Sequence, residues 1–196
     1  MGAAPSRLIR ISTTTGAYTD LRSLNLTSTP VAGVVDENSQ YWLTNAANTA
    51  WTQVDLLPGS ATFGRIVASG TSPAPAYTVS DWAWIPGTAG GNYLWGVSYE
   101  AGLLGLTGTS RLMAWNRSTK IWTTSTAITG VLSGSLINYQ SVFAGGTDTL
   151  YAADSSTGQL YTFPLPGSGL ATAQVALGNS FGLATIADGA RCAAAN

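Results

Sequence analysis

The sequence contains no histidine, a single lysine (Lys120) and a single cysteine (Cys192). Without histidine the chain lacks the commonest general base and the commonest transition-metal ligand. One cysteine excludes an intrachain disulfide and a zinc site of the usual Cys/His kind. Cys192 reads as a small buried hydrophobe, or as a partner for another chain if it is exposed in an oxidising compartment. Charge is scarce as well: 9% of residues are Asp, Glu, Lys or Arg, against about 25% in ordinary domains. Eight basic residues oppose nine acidic ones, so no basic stripe is present to steer nucleic acid or an anionic membrane. No apolar run approaches the roughly 18 residues of a membrane-spanning helix. The opening MGAAPSR has no charged segment followed by an apolar one, so no leader is read there.

What the chain does have is Thr, Ser, Asn and 23 glycines, a composition of strands and turns. Helical periodicity is nearly absent. Only STAITGVLSGSLI (125–137) and the Ala-rich tail offer a helical stretch, and Gly130 and Gly134 argue against the first. Short apolar runs alternate with turn clusters, which is the all-β pattern. A chain of 196 residues buries roughly 70% of its unfolded surface, so residues 1–196 read as one domain with no need of a metal or disulfide staple.

One hairpin is written repeatedly. RLIRISTTTGAYTDL (7–21), YWLTNAANTAWTQVDL (41–56), LMAWNRSTKIWTTSTAI (112–128) and LYAADSSTGQLYTFPL (150–165) each place an apolar strand before Ser12, Asn45, Asn116 or Asp154. Small polar residues and a second apolar strand follow. The Ser or Asx side chain starts the turn by accepting from the backbone ahead. Gly16 and Gly158 are expected to supply the positive φ of a bulged hairpin. A second element, a short apolar strand, begins near Val31, Val79, Tyr139 and Phe181. These starts recur at a spacing of roughly 50 residues, that of propeller blades. The expected fold is therefore all-β, a small β-propeller of about four blades. Its last blade is shared by the two termini: FGLATIADGARC (181–192) supplies the inner strand and residues 6–23 the middle and outer ones. Sharing a blade removes the open edge.

SRLIRISTTTGAYT, VFAGGTDTLYAADSSTGQLYTFPL and the closing DGARC resemble a propeller-like domain family of unknown function in secreted fungal and bacterial proteins. The resemblance covers nearly the whole chain. It implies secretion and a propeller fold, and it brings no catalytic residues with it.

The carboxylates Asp36, Glu37, Asp81, Asp148, Asp154 and Asp188 sit at turns or strand ends. Turn initiation is one reading. A pair across a cleft for glycoside hydrolysis is the other. TDTLYAADSSTG lacks calcium-loop spacing, so no metal and no cofactor is expected. Lys120, in NRSTKIW, reads as a solvated turn residue. The seven tryptophans are more suggestive. Trp82 and Trp84 share one face of DWAWIPG by period two, with Asp81 and Ala83 on the other. Trp115 and Trp122 flank a hairpin and are expected to pair across it. Packing between blades is one account of these rings. A polymer platform is the other, built from Trp42, Trp82, Trp84, Trp95, Trp115 and Tyr99 with Asp81 as a polar partner.

Candidate interface residues are Leu103 and Leu104 in a Gly-rich loop, and Pro73 and Pro75 in the extended arm SPAPAY. Asn25 and Asn116 open N-x-[ST] triplets and are candidate glycosylation sites. Three functions are thus in play. The leading expectation is a secreted, non-catalytic binding module for a glycan or another surface polymer. The second is a self-assembling structural protein, an oligomer or filament, in keeping with the low net charge. The third is a propeller enzyme using carboxylates.

Overall fold

The computed structural model describes residues 6–87, 92–101, 108–125, 127–128, 137–156, 158–165 and the backbone of 172–176. All of its regular structure is strand, and every strand pair is antiparallel. β1 (Ser6–Ile11) and β2 (Tyr18–Leu24) form a two-stranded sheet. β3 (Pro30–Val35), β4 (Gln40–Asn45), β5 (Ala50–Asp55) and β6 (Ile66–Thr71) form a four-stranded meander in chain order. So do β7 (Ala83–Trp84), β8 (Tyr93–Ala101), β9 (Gly108–Asn116) and β10 (Trp122–Thr124). β11 (Tyr139–Gly146), β12 (Thr149–Asp154), β13 (Gln159–Pro164) and β14 (Thr172–Ala176) form the third.

The turns form where the sequence places them. Ser12 Oγ accepts from Thr15 N, Asn45 Oδ1 from Thr49 N and Ala50 N, Asn116 Oδ1 from Ser118 N and Thr119 N, and Asp154 Oδ1 from Ser156 N. Gly16 and Gly158 hold φ of 70° and 73°, the left-handed region glycine enters without a Cβ penalty. One expectation needs correcting. The hairpins at 41–56 and 150–165 are the second and third strands of their sheets, but the one at 112–128 is β9–β10, the third and fourth. The second strand of that sheet is β8, YLWGVSYEA, in which Gly96 and Ser98 lie within the strand rather than at a turn.

The sheets stack face to face, and period two along each strand assigns side chains to the layers between them. Leu8 and Leu24 of β1–β2 meet Leu43 and Val54 of the first meander. On the other face of that meander, Ala32 and Trp42 meet Trp82, Leu94 and Trp115 of the second. The second meander turns Ala83, Trp95, Val97, Leu112 and Ala114 the other way, onto Val142, Leu150, Ala152, Tyr161 and Phe163 of the third. It is buried on both faces, so LMAW (112–115) is continuously apolar rather than alternating. Close sheet packing relies on glycine at two equivalent places: a Cβ on Gly33 or Gly145 would collide with the ring of Tyr41 or Tyr151 on the neighbouring strand.

The inner strand expected around Phe181, along with Leu103, Leu104, Asp188 and Cys192, lies outside the described residues. Pro73 is exposed and Pro75 half-buried in the segment between β6 and β7. Asn25 is exposed just after β2, and Asn116 is half-buried.

Candidate functional site

The richest chemistry lies between the first two meanders, around the β9–β10 turn. Three turns of the chain share one backbone plan. Gly16 N donates to Ser12 O, Lys120 N to Asn116 O, and Gly158 N to Asp154 O, each at 2.8 Å. The fifth residue adopts positive φ in all three. Two of these residues are glycine; the third is Lys120, at φ 61°. A side chain in this region costs about 1–2 kcal/mol, so the lysine is offset by contacts elsewhere.

Those contacts are indole faces. Lys120 Nζ lies 4.4 Å from the centroid of Trp42, 4.4 Å from Trp51 and 5.0 Å from Trp115. It also donates to Arg117 O. Burial, and secondarily the charge of Arg117, pull its pKa below the usual lysine value. The sequence reading of Lys120 as a solvated turn residue is therefore overturned: the ammonium is folded back onto three rings. The rings are tilted against one another, with Trp42 and Trp115 at 70°, Trp51 and Trp115 at 53°, and Trp42 and Trp51 at 48°.

The turn's other cation, Arg117, is buried. It donates to both oxygens of Glu37, at 2.9 and 2.7 Å, and to Asp36 Oδ2. Asp36 is saturated. Its Oδ1 accepts from Asn38 N and Gln40 N at 2.9 Å, and its Oδ2 also accepts from Trp42 Nε1 at 2.8 Å. One carboxylate thus fixes the β3–β4 turn, a wall of the indole group and the arginine of the next sheet.

Trp122 and Trp115 face each other in register across β9–β10, as expected. Their rings also bridge the sheets. Trp122 Nε1 donates to Asn48 O at 3.0 Å, and Trp115 Nε1 to Ser72 Oγ at 3.0 Å. Trp82 completes the group, 5.3 Å from Trp115 and 6.1 Å from Trp122. Five of the seven tryptophans therefore form one connected cluster. Trp82, Trp115, Trp42 and Trp95 are buried, and Trp84 is half-buried against the same layer. The packing role describes where these rings sit. Nε1 of Trp82, Trp84 and Trp95 is buried with no hydrogen-bond partner among the described residues. Trp95 points into the opposite layer beside Tyr93, and Tyr99 covers Gly108 on the next strand. The predicted binding residues are thus divided between the two faces of the second meander, with Trp42 coming from the first.

Three further carboxylates, Asp81, Asp154 and Asp55, are committed to structure. Asp81 is 2% exposed and accepts from Trp82 N and from Val142 N of the third meander, at 2.7 Å for the latter. Asp154 accepts from Asn138 N, Ser156 N and Ser156 Oγ, a ring of donors that suits a turn rather than a cation. Asp55 accepts from Ser60 Oγ and Thr62 Oγ1 at 2.5 Å and from Leu57 N at 2.9 Å. Those bonds hold its pKa at about 2, below the ordinary 3.8. Two grooves among the described residues, of about 450 and 320 Å³, are elsewhere. They flank β1–β2 and are lined by side chains such as Leu8, Ile9, Leu21, Leu56 and Phe63.

Sequence reasoning missed Arg117 and Trp51, misread Lys120 as solvated, and weighed Glu37 only as a turn or hydrolase carboxylate. The signal was present for one of them: setting NRSTKIW beneath STTTGAY and DSSTGQL puts lysine where glycine belongs.

No protein-family model and no curated protein sequence matches the chain, so the resemblance to a secreted propeller-like family has no matching model behind it. Solved structures with a similar trace include virginiamycin B lyase from Staphylococcus aureus, at 14% identity and a TM-score of 0.48, over 86% of this chain and 48% of that one. A catalytically inactive form of that lyase with quinupristin aligns over 89% and 50%, at 14% identity and a TM-score of 0.48. Hydrazine synthase from Kuenenia stuttgartiensis aligns over 75% and 36%, at 14% identity and 0.42. The chain spans about half the length of the lyase, and the reading below rests on this chain's own residues.

Proposed function

We propose that the chain is a non-catalytic binding module of the extracellular space that recognises carbohydrate or another surface polymer through aromatic side chains. Its complete meanders are read as blades of a small propeller of about four blades. β1–β2 is read as the blade that the segment around Phe181 closes. The observation that carries the binding reading is the rim of the indole cluster. Half-buried Lys120 lies on the face of half-buried Trp51, and the same turn carries exposed Ser118, bonded by exposed Asn92, and Arg117, paired with exposed Glu37. A sugar offers an apolar ring face to an indole and hydroxyls to carboxylate, amide and hydroxyl partners. Support for a non-catalytic role comes from Asp36 and Asp55, each saturated as a hydrogen-bond acceptor, and from Asp81 and Asp154, which accept from backbone and hydroxyl donors.

A glycan array and pull-down on insoluble polysaccharides test this. Retention by the wild type, weakened about tenfold or more in Trp51→Ala, is the expected result. Absence of retention from every polymer sinks the reading, and release of soluble products moves it to a carboxylate enzyme.

One observation favours the assembly reading as a second. Ile9, Ile11 and Tyr18 on β1–β2 are 50%, 59% and 73% exposed, and Ile11 pairs with Tyr18 across the strands. Such a face invites cover, by the chain's own closing strand or by a second copy. Light scattering over a concentration series separates the two: a constant monomer mass excludes the second copy.

A further inference from the structure

Lys120 is a cation at a glycine position, held against three mutually tilted indole faces. The distances of 4.4, 4.4 and 5.0 Å all fall inside the roughly 6 Å over which a ring quadrupole attracts a cation. Three faces at 48° to 70° to one another make a box rather than a stack, the arrangement that suits an ammonium group. The box is built rigidly. Trp42 is tied to Asp36, Trp115 to Ser72 and Trp51 to Thr71 O. Its occupant is not: the lysine reaches it on a flexible four-carbon stem from an exposed turn, where Ser118 and Thr119 face solvent. Glu37, which with Asp36 pairs with Arg117 of the same turn, keeps its carboxylate partly exposed.

We propose that the cage of Trp42, Trp51 and Trp115 is a binding site for methylated ammonium cations, with Lys120 as its resident competitor. A primary ammonium is strongly hydrated and loses much on entering the cage. A trimethylammonium group offers the same charge with an apolar surface, and it displaces the lysine by taking over its three ring contacts, while the hydrogen bond to Arg117 O, which it cannot make, passes to water. The cage then belongs to the class of aromatic boxes that take quaternary ammonium groups. This inference does not depend on the polymer reading, since a protein that retains no glycan still passes or fails the test below.

The test uses choline chloride, with sodium chloride at equal ionic strength as control. Lysine labelled with ¹³C at Cε, supplied during expression, reports on Lys120 alone, because the sequence has no other lysine. In the wild type the Lys120 ε-methylene signal is expected upfield, under the ring currents of the indoles. Choline is expected to move it saturably to the solvent position. Lys120→Gly installs the residue of the two sister turns and empties the cage without disturbing the backbone. Its affinity for choline, read by tryptophan fluorescence, is expected to be about tenfold or more tighter than that of the wild type. Adding Trp51→Ala to it abolishes the response. A Lys120 signal that choline does not move overturns the proposal, even if Lys120→Gly binds, because the natural cage then stays closed. Equal affinity in wild type and Lys120→Gly also overturns it, because the site then lies elsewhere.

Discussion

The second meander has two faces, and they are built on opposite principles. Toward the third meander it buries Val97, Leu112, Ala114 and Ile85 against Val142, Leu150, Tyr161 and Phe163. Polar contact there is limited to bonds such as Ser110 to the Tyr139 hydroxyl at 2.8 Å and Val142 N to Asp81. Toward the first meander the same strands present Trp82, Leu94 and Trp115 to Trp42 and Trp51, with Arg117, Asp36, Glu37 and Lys120 among the rings. The first face is stabilised by apolar area, about 1.5–3 kcal/mol per fully buried large side chain. The second buries charges whose attraction is largely offset by desolvation. Its rings also bury large apolar area, so the two faces differ in the charges they enclose.

The contrast can be broken experimentally. Leu112→Ala on the aliphatic face is expected to cost about 2–5 kcal/mol of unfolding free energy and to leave polymer retention unchanged. A loss of retention at equal stability would mean the faces are not functionally distinct. Arg117→Met on the charged face strands Asp36 and is expected to cost about 3–5 kcal/mol. Adding Asp36→Asn, which removes the stranded charge and keeps an acceptor for Asn38 N and Gln40 N, should restore part of that loss. A double variant less stable than the single one would show that the pair itself, rather than the stranded charge, stabilises the interface. Lys120→Gly is expected to change stability by only about 1 kcal/mol in either direction. It loses the cation–ring contacts and gains glycine's ease at positive φ. Chemical denaturation measures all three.

The smallest effect is expected from Asp55 and appears only in acid. Its hydroxyl and backbone donors lower its pKa from 3.8 to about 2. The unfolded chain therefore takes up the proton first. The contribution of Asp55 to stability is complete above pH 3.8 and is lost as the pH falls toward 2. Asp55→Asn should flatten the fall in thermal midpoint over that window. An unchanged slope would show that other carboxylates carry it.

Much of the fold was legible, and for identifiable reasons. Ser12, Asn45, Asn116 and Asp154 announced their turns because their side chains act locally on the backbone. The one misplacement, taking β9–β10 for the middle of its sheet, arose because Gly96 and Ser98 lie within β8 rather than at a turn, and the strand was passed over. The shared terminal blade involves residues 181–192, outside the described residues. The site was less legible. Period two put Trp82 and Trp84 on one face but could not say that this face is covered by another sheet. The ion pairs of Arg117 with Asp36 and Glu37 join residues 81 and 80 positions apart, a separation that no local pattern encodes. Lys120 was the exception, since comparing three turns of the same sequence reveals it.

The central claim is that the rim of the tryptophan-rich face binds ligand while the aliphatic face only supports it. Affinity electrophoresis of wild type, Trp51→Ala and Leu112→Ala through gels containing soluble polysaccharides tests it most directly. The account predicts retardation of the wild type and of Leu112→Ala below its melting temperature, and free migration of Trp51→Ala. Equal migration of wild type and Trp51→Ala in every polymer would contradict it.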